Sequence, residues 1–206
     1  MKIVCISDTH RYHAQVDKVH ADVVVHAGDV CGHGSVNELK SFIEWYKDYP
    51  CTHKIFVAGN HDRCLETQLN LEDDIRAAGI IYLKDSSVVI DGIEFYGTPY
   101  QPFFCNWAFN VRDVFQLREI YRQIPESTDF LITHCPPYGV MDVCRDGSVG
   151  SSELQIELRR VSPKYHLFGH IHEAHGRIDI DGTTYINACQ CDEHYDITNQ
   201  PITVEI

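Results

Sequence analysis

Five short runs of aliphatic and aromatic residues recur along the chain, and each stops at side chains able to bind a metal. They are Ile3 to Ile6, Val23 to Ala27, Lys54 to Ala58, Phe130 to Thr133 and His166 to Phe168. Each is rich in Val, Ile or Phe and bounded by polar residues or glycine, so each reads as a buried strand. Asp8 and His10 follow the first run, Gly28 and Asp29 the second, and Gly59, Asn60 and His61 the third. His134 follows the fourth, and Gly169, His170 and His172 follow the fifth. Ligands of α/β sheets bind beyond the carboxyl ends of the strands, so five such loops are placed to converge on one spot.

The segments between these runs narrow the fold. In "SVNELKSFIEWYKDYP", Val36, Leu39, Ile43 and Tyr46 recur at helical spacing, Ser35 and Glu38 form a capping box, and Pro50 lies beyond the end. "SSELQIELRRV" reads as a second helix, with Leu154, Leu158 and Val161 on one stripe, and a third is expected from Arg112 to Gln123. Alternation of strand and helix in the first half predicts βαβ units and parallel pairing. Asp91-Gly92 and Asp181-Gly182 each sit between two β-rich runs, which predicts hairpins. Parallel and antiparallel strands therefore mix, in a sandwich with outer helices.

No linker or low-complexity tract interrupts the 206 residues, so residues 1–206 are read as a single domain. The formal net charge is −13, from 30 acidic and 17 basic side chains, which argues against a surface built to follow a nucleic-acid backbone. The nine cysteines are odd in number and include no Cys-x-x-Cys pair. "MKIVCISD" enters a strand pattern directly, and no apolar stretch approaches the roughly 20 residues of a membrane helix. The expectation is a cytoplasmic protein with reduced thiols. Cys189 and Cys191 are expected on one face of a strand, with packing favoured over zinc binding for want of a second pair.

Singly, each motif has an ordinary explanation. Asp8 suits the start of a turn, Gly28-Asp29 is a common loop pair, and thirteen histidines make chance matches easy. Jointly, five motifs in order, each behind an apolar run, point to a metal centre. Asp8, His10, Asp29, Asn60, His134, His170 and His172 make seven donors, too many for one catalytic metal and suited to two that share a carboxylate, with Asp29 as the bridge. Carboxylates, imidazoles and one amide suit borderline divalent ions: manganese first, with iron, zinc, cobalt or nickel as alternatives.

These five blocks, from "SDTH" to "GHIHEAHG", resemble the signature of the calcineurin-like metallophosphoesterases. "PFFCNWAFN", "IPESTDFLITHCPP" and the ending "YINACQCDEHYDITNQPITVEI" resemble its metallophosphoesterase-domain-containing subfamily. The resemblance implies a four-layer α/β/β/α sandwich with mixed sheets. It implies a first metal held by Asp8, His10, Asp29 and His172, and a second by Asp29, Asn60, His134 and His170. It assigns His61 as the catalytic histidine beside the metals. Some animal relatives have glycine where His170 stands; this chain keeps the histidine, so two metals are expected.

The implied reaction is phosphoester hydrolysis by a hydroxide held between the metals, with His61 stabilising charge or protonating the leaving oxygen. Asp62 either orients His61 or caps the next helix. Subfamily resemblance points to a phosphodiesterase of small nucleotides, with 2′,3′-cyclic nucleotides leading. The alternatives are a phosphomonoesterase or protein phosphatase, a nuclease, or a nucleotide-binding scaffold of low turnover. Asn60 and His61 are expected at the substrate, with Asn106 and Trp107 as further contacts, whereas Tyr100, Phe103 and Phe104 are read as core. His26 is expected to be a hydrogen-bonded core residue, with His13 and His33 as minor candidates for the pocket and Arg63 as a solvated side chain. Cys31, Cys64 and Cys135 are read as packing.

Overall fold

In the computed structural model, which describes residues 1–145 and 147–206, the first half runs β1 (Lys2–Ile6), β2 (Ala21–His26), α1 (Val36–Lys47), β3 (Cys51–Phe56), α2 (Arg63–Thr67), α3 (Leu71–Ala77) and β4 (Ile81–Tyr82). These four strands pair in parallel in chain order. The second half opens with the hairpin β5 (Ser86–Ile90) and β6 (Ile93–Thr98), then the short pair β7 (Gln101–Pro102) and β8 (Asn110–Val111), then α4 (Val114–Tyr121) and β9 (Phe130–Thr133). It continues through β10 (Val143–Cys144), β11 (Gly147–Ser148), α5 (Ser152–Val161) and β12 (Tyr165–Phe168) to a second hairpin, β13 (Gly176–Ile180) and β14 (Thr183–Asn187). Last, β15 (Ile202–Glu205) returns to pair antiparallel with β1. The second sheet has the order β13-β14-β12-β9-β6-β5, with its three inner pairings parallel.

Continuous apolar strands can be buried on both faces. Ile3, Cys5, Val25 and Ile55 point between the sheets and meet Phe130, Ile132 and Leu167. Val4, Ile6 and Val24 point outward onto Phe42 and Tyr46 of α1. On the far side, Leu131 and Phe168 pack against Leu117 of α4 and Leu154 and Leu158 of α5. The molecule is thus the expected four-layer α/β/β/α sandwich with mixed sheets.

Helix α1 begins with the complete Ser35–Glu38 capping box. Its Tyr46 hydroxyl reaches the carbonyls of Val24 and Ile55 at 3.1 and 2.8 Å, tying the helix to two neighbouring strands. Both Asp-Gly hairpins form, with φ of 49° and 83° at Asp91 and Gly92 and 49° and 89° at Asp181 and Gly182. Positive φ at both positions is the type I′ geometry that fits strand twist.

Helix α4 is shorter than expected because Asp113 caps it, accepting from the Phe115 amide at 2.8 Å. Helix α2 is the helix expected after Asp62, whereas α3 had no sequence expectation. Cys189 and Cys191 lie outside the named strands, in isolated bridges to Ser7 and Ile197. Among the described residues, no helix is long and apolar enough to cross a membrane.

Candidate metal centre

Strands β1, β2, β3, β9 and β12 release their polar loops at carboxyl ends, and main-chain bonds stitch the loops together. Asp8 N donates to Gly28 O at 2.9 Å, His10 N to Asp29 O at 3.0 Å, and Gly169 N to His134 O at 3.0 Å. Four candidate ligands take left-handed backbone: Asp8 (φ 52°), His10 (39°), Asp29 (57°) and His170 (69°). Such strain in non-glycine residues concentrates at functional sites.

Glycine is required for close approach at two of these turns. A Cβ on Gly59 would lie 2.2 Å from Asp29 Oδ1, and one on Gly169 would lie 1.9 Å from Asp8 Oδ2. The carboxylates sit against bare backbone, where any larger residue would displace them.

All seven expected donors converge, together with His61. A carbonyl can only accept, so each imidazole that meets one through Nδ1 donates there and turns the Nε2 lone pair inward. His10 does so to Cys31 O (3.2 Å), His134 to Ala27 O (2.8 Å), His172 to Asp192 O (2.8 Å) and His61 to Gly32 O (2.7 Å). In consequence His10 Nε2 and His172 Nε2 face each other at 3.2 Å, with Asp8 Oδ1 at 3.8 and 3.4 Å. Asp29 Oδ2 lies 3.8 Å from His10 Nε2, 4.0 Å from His61 Nε2 and 3.2 Å from His134 Nε2. Asn60 Oδ1 is 3.0 Å from His134 Nε2. Donor atoms of Asp29, His134 and His170 lie within 4.8 Å of one another, as do those of Asp8, His172 and Cys189.

Opposed imidazole nitrogens beside buried carboxylates call for positive charge between them, supplied by protons or by a metal ion, and the donor set fits bound divalent metal. The electrostatics agree. Burial opposes ionisation of Asp8, yet His10, His172 and His134 hold its carboxyl well below the usual range. Asp29 is likewise lowered, against burial, by His134 and His61. Burial opposes charge on His134, but Asp29 and Asp8 raise it to about 10. Burial and neighbouring His134 push His170 down to about 4, leaving a neutral imidazole.

Asp62 takes neither expected role. It makes no side-chain bond to His61 and does not cap α2. It is fully buried, with Oδ2 accepting from Asp29 N (3.0 Å) and Gly59 N (2.8 Å) and Oδ1 from Cys31 N (2.9 Å). Its side chain therefore clamps the Asp29 loop to the Gly59 turn. Burial, then the charge of Asp29, raise its carboxyl to about 6.

Above the donors lies a half-open cavity of about 450 Å³, lined by Asn60, His61 and His170 at its base and by Phe103, Phe104 and Tyr195 on its walls. The reading of Phe103 and Phe104 as core is overturned: they are exposed at the cavity, whereas Tyr100 is partly buried against the core. Neither Asn106 nor Trp107 is among the lining residues. Asn106 is exposed, while Trp107 stacks on the His61 ring at 4.0 Å and backs it. Arg63 is exposed, with its guanidinium 5.8 Å from the Trp107 ring. His26 is buried and bonded to Thr9 at 3.1 Å, as expected. His13 packs beside Trp45, away from the cavity, and His33 is exposed.

The C-terminal segment had no expected role at the site. Tyr195, with φ of 66°, sets its ring 4.7 Å from His10 and 5.1 Å from His172. Asp192 O fixes His172, and the Cys189 thiol donates to Asp8 Oδ2 at 3.1 Å. This segment lacks hydrophobic periodicity, and nothing local to the two cysteines, expected to pack, points to Asp8. Gln101 also lines the cavity, on a strand too short to show a pattern.

The sequence profile described as "Calcineurin-like phosphoesterase" matches residues 1–174. The UPF0046 protein K07C11.7 of Caenorhabditis elegans is 37% identical over all of this chain and 75% of its own length. Human metallophosphoesterase domain-containing protein 1 is 35% identical over all of this chain and 71% of its own. The crystal structure of TT1561 of Thermus thermophilus shares the fold, with a TM-score of 0.65 at 11% identity over 90% of this chain and 88% of that one. With the profile spanning most of the chain and relatives matching all of it, the protein belongs to the calcineurin-like phosphoesterase family and is a metal-dependent phosphoester hydrolase.

Proposed function

We propose that residues 1–206 act as one phosphodiesterase domain that hydrolyses small nucleotides, with 2′,3′-cyclic nucleotides the leading substrates. The observation that carries this reading is the shape of the cavity: metal-capable donors at its base and exposed aromatic rings on its wall, in a volume of about 450 Å³ suited to a small molecule. The net charge of −13 further disfavours long nucleic acids as substrates.

Asp8, His10, Asp29 and His172 would hold one divalent ion, and Asp29, Asn60, His134 and His170 a second, with manganese the first choice. When bound, such ions neutralise phosphoryl charge and activate water. His61 donates Nδ1–H to Gly32 O and rests on Trp107, so its Nε2 is fixed toward the cavity. From there its imidazolium form gives a proton to the leaving oxygen as a general acid. Asn60 presents a neutral oxygen beside the phosphate, which adds no repulsion. Nine free cysteines, most of them buried, support a reducing compartment such as the cytoplasm.

The test is a panel of bis-p-nitrophenyl phosphate, 2′,3′-cyclic nucleotides, phosphomonoesters, phosphopeptides and oligonucleotides, run with Mn²⁺, Co²⁺, Zn²⁺ or Mg²⁺ after metal stripping. Preferential turnover of cyclic nucleotides is expected. Inert diesters beside active phosphomonoesters, phosphopeptides or oligonucleotides would overturn the reading.

A further inference from the structure

One buried acceptor in the cavity wall has no partner. Gln101 is 1% exposed and lines the cavity, yet its Oε1 meets no donor among the described residues. Its amide orientation follows from the neighbouring bonds. The Phe104 carbonyl can only accept, so Asn110 presents Nδ2 to it, at 2.7 Å. Asn110 Oδ1 is thereby turned to Gln101, whose Nε2 donates to it at 3.1 Å. Gln101 Oε1 is left over as the free atom. A buried acceptor without a donor is costly, and such atoms mark places where a ligand or water completes the set.

The surroundings favour a flat ligand. Phe103 and Phe104, 39% and 50% exposed, line the same cavity. Arg112 sits 3.5 Å from the centroid of the Phe103 ring and fixes it from one side. The Phe104 ring stands edge-on to His170 at 6.0 Å, next to the metal-capable donors. An aromatic surface whose Phe104 ring neighbours His170, on the same cavity as an unfilled acceptor, matches a nucleobase joined through its sugar to a phosphate.

We infer that Gln101, Phe103 and Phe104 form a base-recognition subsite, in which the rings stack the nucleobase and Gln101 Oε1 accepts an N–H from its edge. This rests on the nucleotide reading above and adds to it the residue that selects the base. Asn110 is a positioning residue that orients the Gln101 amide.

The experiment is calorimetric binding to the Mn²⁺-loaded protein. Adenosine, guanosine and cytidine 5′-monophosphates are compared with purine riboside and pyrimidin-2-one riboside 5′-monophosphates, whose bases offer no N–H. At least one donor-bearing nucleotide is expected to bind roughly tenfold or more tightly than its donor-free counterpart, as sites built around a hydrogen bond reject ligands lacking it. In Gln101→Met that ratio is expected to fall to about one. Equal affinities in the wild-type protein, no binding of any nucleotide, or an unchanged ratio in Gln101→Met would each overturn the inference. The wild-type comparison is decisive even if the variant does not fold. Discriminating binding without turnover of any diester would refute the enzymatic reading alone and leave the subsite standing.

Discussion

Asp62 and His61 are adjacent, and their side chains do different work. Asp62 accepts three main-chain N–H groups from two loops. Truncation leaves all three buried donors without an acceptor, and Asp62→Ala should cost about 2–4 kcal/mol, read from urea unfolding. It should also weaken metal binding, since the same bonds hold Asp29 and the Gly59 turn; full stability with intact metal content would refute the clamp. His61→Ala should retain its metals and lose turnover by about 10²–10⁴-fold, the range of a positioned general acid. Loss of metal from His61→Ala would instead make His61 a ligand. At this scale the candidate ligands were legible because five buried runs in order each end in Asp, Asn or His, a repetition that turn chemistry alone does not explain. The role of Asp62 was not, because its partners at Asp29 and Cys31 lie some thirty residues away and only folding brings them near.

Among the elements, α1 is the helix whose start is most completely specified by sequence. Ser35 Oγ accepts from Glu38 N at 3.3 Å, and Glu38 Oε2 accepts from Ser35 N at 3.0 Å. Ser35→Ala removes the first bond and should lower stability by about 1 kcal/mol without changing metal content. An undiminished thermal midpoint would show that Tyr46 and Phe42 alone seat the helix. Capping residues, helical stripes and Asp-Gly turns carry their signals within a few neighbours, which is why α1, α5 and both hairpins could be read in advance. Phe103 and Phe104 could not, since an aromatic run does not say which face meets the core. The segment from Cys189 to Tyr195 is held by bonds such as Gln190 N to Ser7 O at 2.9 Å, which no local pattern announces.

Across the molecule, buried histidines outside the site shape the response to acid. Burial pushes His26 and His166 down to about 3 and His13 to about 4. The unfolded chain binds these protons near pH 6.5, on the order of the free imidazole value, so it holds more protons than the folded protein below that pH. The contribution of these three histidines to stability is therefore fully present above about pH 6.5 and declines as pH falls toward the folded values. In metal-stripped protein, His166→Asn should make the decline between about pH 6 and 4 shallower by up to about 1.4 kcal/mol per pH unit. An unchanged slope would mean that His166 is protonated in the fold.

The sandwich brings five loops from two sheets to one place, and the central claim is that they hold two metals in one site. The direct measurement is metal content after stripping, equilibrium dialysis against Mn²⁺ and elemental analysis. Two equivalents per chain are expected in the wild-type protein, falling to one in His134→Ala and to one or none in Asp29→Ala, which removes the shared carboxylate. A single equivalent in the wild-type protein, unaffected by His134→Ala, would contradict the account.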